Sequence, residues 1–184
     1  MKVFIIHGAY GSPQENWIPW LKFELKKIKS EVIIPAFPTP EGQSLKNWMS
    51  VFERYLEELD EDTILIGHSI GATFVLRVLE KIKKQIKASF LVAGVLSYLN
   101  IEEFDNINRT FIEKEFNTKK IRQNCKKFYI INSDNDPYIP LDKAERLAQE
   151  LNTKVIIVKN AGHFNIKAGY AKFEFLLEKI KKEL

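Results

Sequence analysis

The chain has 184 residues, of which 45% are hydrophobic and 28% charged, and a net charge of +4. That length is enough for one domain with a full core, and the composition is ordinary for a globular protein. The excess lysines lie among glutamates, as in Glu24-Leu25-Lys26-Lys27 and Glu178-Lys179-Ile180-Lys181-Lys182. They read as solvated helix surface, not as a nucleic-acid footprint.

The N-terminus enters an apolar run at residues 3–6, too short for a signal-peptide core. Five more such runs follow, at 32–37, 63–66, 89–93, 128–131 and 155–158. They are rich in Val, Ile and Phe and do not alternate with polar residues, the pattern of strands buried on both faces of a parallel sheet. Helical patterns lie between them. The expectation is an α/β fold, a three-layer α/β/α sandwich.

The first helix is expected to start at Ser12-Pro13-Gln14-Glu15, which has the form of a capping box, and to run to about residue 29. Pro35, Pro38 and Pro40 mark an irregular loop. A second helix is expected over 44–59, with Trp48, Val51, Phe52, Tyr55 and Leu59 on its apolar face. Phe74, Val75, Val78, Leu79 and Ile82 line one face of a third. Residues 98–127 read either as a small cap over a pocket or as the crossover that two parallel strands require. Further helices are expected over 141–151 and from 168 onward. No repeat or linker divides the chain, so residues 1–184 are taken as one domain. The longest near-apolar stretch, 88–99, is too short to span a bilayer. Cys125 has no partner for an intramolecular disulfide. A cytoplasmic protein without membrane or nucleic-acid partners is expected.

The chemistry centres on Gly67-His68-Ser69-Ile70-Gly71, a G-x-S-x-G turn between the third strand and a helix. A sharp strand-to-helix turn lifts a serine hydroxyl above the sheet edge, where it can act as a nucleophile. Gly67 and Gly71 are the residues that let backbone come close on either side. A serine needs a base. Of the three histidines, His68 adjoins Ser69 and points away across the turn, and His7 ends the first strand, bracing its loop. That leaves His163, directly after the last strand. The base needs a carboxylate to fix its tautomer. Asp60 and Asp62 precede the third strand, at the wrong end of the sheet, while Asp134 and Asp136 follow the fifth. Asp136, stiffened by Pro137, is the choice; Asp134 is the alternative, with a loop-bracing role otherwise. The oxyanion donors expected are the backbone N–H of Ile70 and that of Ala9 or Tyr10. Tyr10, Trp17, Tyr138 and Phe164 flank these motifs as candidate pocket walls. The histidines lack paired ligand spacing and no phosphate-binding glycine motif is present, so neither metal nor nucleotide cofactor is expected.

Taken together, these residues resemble the small α/β-hydrolases of the YdeN-like, retinoblastoma-binding-protein-nine-like group of serine hydrolases. The resemblance rests on His7-Gly8, Asn16-Trp17, Pro19-Trp20-Leu21, the three-proline loop, Trp48, the Gly67–Gly71 turn, Asp136-Pro137 and Gly162-His163-Phe164. It implies a six-stranded parallel sheet without the antiparallel hairpin and large cap of bigger relatives. It also implies a triad of Ser69, Asp136 and His163. The expected activity is hydrolysis of a small carboxylic ester or related acyl compound through an acyl-enzyme. The alternative is a protein- or peptide-binding module on a hydrolase scaffold, since fold alone does not fix function.

Overall fold

The computed structural model describes residues 1–183. Its centre is a six-stranded sheet, ordered β2-β1-β3-β4-β5-β6. The strands are β1 (Lys2–Ile6), β2 (Glu31–Ile33), β3 (Thr63–His68), β4 (Ile86–Val92), β5 (Cys125–Ser133) and β6 (Val155–Val158). Every neighbouring pair is parallel. Parallel strands need helical crossovers, and those cover both faces. The helices are α1 (Ile18–Lys27), α2 (Leu45–Phe52), α3 (Ile70–Lys81), α4 (Glu102–Ile112), α5 (Thr118–Gln123), α6 (Leu141–Glu150) and α7 (Glu174–Lys181).

Alternate strand residues feed two cores. Phe4, Ile6, Leu65, Leu91 and Ile130 face a layer containing Trp48, Phe52, Phe74, Ile121 and Leu147 from α2, α3, α5 and α6. Val3, Ile5, Ile64, Ile66 and Phe90 face Ile18, Leu21, Leu25, Leu176 and Ile180 from α1 and α7. Each such side chain contributes roughly 1.5–3 kcal/mol when fully buried. The resulting three layers are the expected α/β/α sandwich.

Several boundaries differ from expectation, each for a local reason. Helix α1 starts at Ile18, not near Ser12. The Ser12 Oγ accepts from the Gln14 amide at 3.2 Å, two residues on, and Asn16 stands at φ 53°, which interrupts any helix. Pro19 is the proline in the first turn. Strand β2 has three residues because Pro35 offers no N–H to continue the ladder. Ser44 caps α2 through the Asn47 amide, but the α-helix gives way to a 3-10 helix over Glu53–Glu58. The last helix starts at Glu174. Before it, Ile166–Ala168 forms one 3-10 turn that Gly169 ends at φ 88°.

Residues 98–127 contain α4 and α5 and connect β4 to β5. They are fixed to the body by named bonds. Arg77 on α3 is buried and donates to the carbonyls of Phe111 at 3.0 Å, Glu115 at 3.3 Å and Lys114. Gln43 Nε2 donates to Asn108 Oδ1 at 2.7 Å, and the Leu45 amide donates to Thr110 Oγ1 at 2.8 Å. Among the described residues no helix is long and apolar enough to cross a membrane.

Candidate active site

The sheet order places a reversal between β1 and β3: the chain leaves β1 toward β2 on one side and reaches β3 on the other. In open α/β sheets the crevice outside the carboxyl ends at such a switch point is where ligands bind. The loop after β1, residues 7–12, and the turn after β3 meet there.

Ser69 occupies that turn at φ 56° and ψ −127°, a region costly for any residue with a Cβ. The surroundings enforce it. A Cβ on Gly67 would lie 2.5 Å from the Ala72 nitrogen, and one on Gly71 would lie 2.6 Å from the Ile6 carbonyl oxygen. Those contacts explain both glycines of the motif. Gly8 is close on the other side, since its Cβ would stand 3.1 Å from the Ser69 Cβ. Helix α3 begins at Ile70, so its first N–H groups and positive dipole end surround the serine.

His163 reaches the same crevice from the loop after β6. Its Nδ1–H donates to Asp136 Oδ2 at 2.8 Å, with Oδ1 at 3.1 Å. The Asp136 side chain is 0% exposed and the His163 side chain 10%. Asp136 Oδ1 also accepts from the amides of Tyr138 at 2.9 Å and Ile139 at 3.1 Å. The carboxylate is thus fixed and aimed, and the imidazole proton it accepts stays on Nδ1, leaving Nε2 free as a base. The Ser69 hydroxyl makes no hydrogen bond to His163 among the described residues. In unliganded sites this bond is commonly long and tightens with substrate.

The loop that carries His163 hangs on a comb of short polar side chains. Asp134 Oδ1 accepts from the Asn160 amide at 2.7 Å, Ser133 Oγ from Ala161 at 2.9 Å and Asn135 Oδ1 from Gly162 at 2.8 Å. Ser133 at the end of β5 and the three residues after it thereby hold residues 160–163, with Asp136 and His163 as the last pair. Asp134 is accordingly the loop brace and Asp136 the partner of His163. The part played by Ser133 and Asn135 was missed from sequence, although the run Ser133-Asp134-Asn135-Asp136 consists of residues that bind backbone amides readily.

The two remaining histidines are structural. His68 Nε2–H donates to the His163 carbonyl at 2.8 Å. It is buried, and burial first, then the nearby His163, pushes it down to about 3, so it is neutral. His7 donates Nδ1–H to the Gly8 carbonyl at 2.9 Å and accepts the Phe37 amide at Nε2 at 3.0 Å, bracing the loop after β1. Burial lowers its pKa too.

The crevice has two lobes that share Ser69, His163, Ala9, Tyr10, Tyr138 and Asn165, of about 530 Å³ and 370 Å³. Tyr10 and Tyr138 are 55% and 44% exposed and line both, and the Tyr138 ring meets the His163 ring edge-on at 5.0 Å. The other two aromatics expected there are in the core instead. Trp17 is fully buried, its indole N–H donating to the Phe164 carbonyl at 3.0 Å. Phe164 is fully buried and stacks on Phe173 at 5.1 Å, because φ 51° at Phe164 turns the chain downward after His163. Of the two amides considered for the second oxyanion donor, that of Tyr10 is already given to Thr39 Oγ1 at 2.7 Å. No cluster of three or more His, Cys, Asp or Glu suited to a metal occurs among the described residues. A separate hollow of about 430 Å³, around Lys83, Lys120 and Asn124, lies away from all these groups.

With this geometry in place the kinship can be read. The family model for serine hydrolases matches residues 3–182. The chain belongs to the serine hydrolase family. This hydrolase is 31% identical over 172 residues to the putative hydrolase YdeN of Bacillus subtilis, covering 92% of this chain and 88% of the relative. It is 28% identical over 166 residues to the serine hydrolase RBBP9 of Rattus norvegicus, covering 89% and 87%. The crystal structure of the Bacillus subtilis ydeN gene product superposes with a TM-score of 0.92 at 27% identity, over 99% of this chain and 97% of that one. The Est1E structure from Butyrivibrio proteoclasticus with bound ferulic acid shares the fold, with a TM-score of 0.70 at 18% identity over 98% and 89% of the two chains.

Proposed function

We propose that this hydrolase is an esterase that works through an acyl-enzyme on Ser69. In this reading Ser69 Oγ attacks the acyl carbonyl while His163 Nε2 takes its proton. Asp136 stabilises the imidazolium and keeps its tautomer. The tetrahedral oxyanion is met by the N–H of Ile70 and that of Ala9, whose neighbour Tyr10 has its own N–H committed elsewhere. His163 then protonates the leaving group, and water reverses the sequence to free the acid. Each oxyanion donor is worth about 10²–10³ in rate.

The observation that carries the reading is the paired His163–Asp136, held by three charge-assisted bonds to the carboxylate, in one crevice with a serine forced to positive φ. A turn strained at one residue, and a buried carboxylate aimed at one imidazole, are what nucleophilic catalysis requires and what a binding surface does not need.

The test is labelling with a fluorophosphonate and turnover of short-chain nitrophenyl esters. The wild type labels and turns over; Ser69→Ala does neither. An unlabelled wild type, or a Ser69→Ala variant as active as wild type, rejects the proposal, the first in favour of a binding-only protein.

A further inference from the structure

The acyl-transfer reading leaves the substrate open, and the shape of the crevice narrows it; the assignment of the two lobes rests on that reading. The lobes differ in chemistry. Outside the residues they share, the larger is walled by Ser12, Glu15, Asn16 and Lys167, with Ile166 as its one aliphatic side chain. The smaller is walled by Ile101, Phe104 and Ile107, with Glu103 and the buried Asn108 beside them. Ile101, Phe104 and Ile107 recur every third residue from the N-cap of α4 into its first turns, so they form one stripe on one face. Further along α4 the stripe goes under: Phe111 and Ile112 are 0% and 5% exposed. At its beginning it stays open, with Ile101 39% exposed. One apolar face is therefore half sealed in the core and half left on the crevice. An apolar surface kept in water at the mouth of a site marks a place where a ligand completes the burial. The wall is also preformed, since α4 is tied down by Arg77 through the Phe111 carbonyl, by Gln43 through Asn108 and by the Leu45 amide through Thr110.

The reaction assigns the lobes. The leaving group departs beside His163, and the hydrolytic water arrives from that same side, because deacylation retraces acylation. That side must hydrogen-bond a water and a departing hydroxyl compound. The lobe with Asn16, Glu15 and Lys167 offers more such partners; in the other lobe the stripe of Ile101, Phe104 and Ile107 offers a water none. The acyl arm stays attached to Ser69 through both steps and needs the other lobe. The geometry points to esters of uncharged, apolar carboxylic acids with small polar leaving groups, the acyl arm lying on Ile101, Phe104 and Ile107. Glu103 stands in the acyl lobe, its Oε1 3.5 Å from the Tyr10 hydroxyl. A second carboxylate on the acyl arm would meet that like charge.

Chain-length profiling tests this. The measured quantity is the ratio of kcat/KM for nitrophenyl octanoate to that for nitrophenyl acetate. Filling the lobe with Ile107→Trp lowers the ratio about tenfold or more, and trimming it with Ile107→Ala raises it, since a single methylene in an apolar pocket already shifts specificity by about 10–200-fold. Two opposed variants keep the test valid if one folds poorly. Glu103→Gln raises turnover of a nitrophenyl monoester of succinic acid relative to the acetate. Should both Ile107 variants leave the ratio unmoved while the wild type turns esters over, the lobe assignment is wrong and the Ser69 reading stands. The same holds if the variants alter preference among alkyl acetates, in which only the alcohol changes. A wild type that neither labels with fluorophosphonate nor hydrolyses any ester removes both.

Discussion

Replacing Asp136 by asparagine changes one oxygen to an amide nitrogen and tests the roles of the two aspartates. The carboxylate is fully buried and has three partners: His163 Nδ1 at 2.8 Å on Oδ2, and the Tyr138 and Ile139 amides on Oδ1. In Asp136→Asn the amide oxygen keeps the two backbone donors, which forces Nδ2 toward His163. An NH₂ facing Nδ1 makes that nitrogen the acceptor and moves the ring proton to Nε2. A protonated Nε2 cannot take the Ser69 proton. The expected loss in kcat is on the order of 10⁴, or about 5 kcal/mol of barrier. Asp134→Asn should cost less than about fivefold, because its oxygen still accepts the Asn160 amide, as a neutral hydrogen bond worth about 1 kcal/mol. The assay is kcat on nitrophenyl acetate across pH, with thermal melts to show that both variants remain folded. A loss of about tenfold or less in Asp136→Asn, or a larger loss in Asp134→Asn, refutes the tautomer argument.

Acid should weaken the fold through His68. Its folded pKa of about 3 lies below the ordinary 6.5, so the unfolded chain binds more protons between those values. Stability is complete above about pH 6.5 and falls as pH drops toward about 3, by at most about 5 kcal/mol; His7, also lowered by burial, adds in the same direction. Urea midpoints between about pH 7 and pH 4 will show a shallower slope in His68→Gln, and an unchanged slope would contradict the assignment. Gly71→Ala should destabilise by roughly 2 kcal/mol or more, since its Cβ meets the Ile6 carbonyl at 2.6 Å and backbone must move; a denaturation midpoint equal to wild type would show the turn to be more pliant than its contacts suggest.

Strand positions were legible because doubly buried parallel strands are continuous apolar runs, and all six fell where those runs lie. What escaped depended on single backbone dihedrals. Asn16 at φ 53° delayed α1 past a good capping sequence, and Phe164 at φ 51° sent its ring into the core although its neighbour His163 faces the crevice. Tyr10, at φ 57°, turned outward by the same device. Adjacency to a motif indicates which loop a residue shares, not which side of the backbone it leaves. The segment 98–127 was ambiguous for a different reason. Its spacing of apolar residues shows one face but not where that face lies. It turned out to be the crossover from β4 to β5 and, at Phe104 and Ile107, a wall of the crevice as well. The pairing of Asp136 with His163 was legible since both follow strands at the carboxyl edge; the comb of Ser133, Asp134 and Asn135 is a contact between two segments that only the folded sheet brings side by side.

That comb divides the crevice into two units of different origin. Asp136 and His163 are tied together by the bonds between the segments that follow the adjacent strands β5 and β6. Ser69 and the loop at Ala9 follow β3 and β1, with β4 in between. Two buried rings bind one unit to the other, His68 to the His163 carbonyl and Trp17 to the Phe164 carbonyl. A protein built this way can lose turnover by a slight parting of the halves while each half, and the sheet beneath, keeps its shape. Heat or mild denaturant should then silence it before it melts.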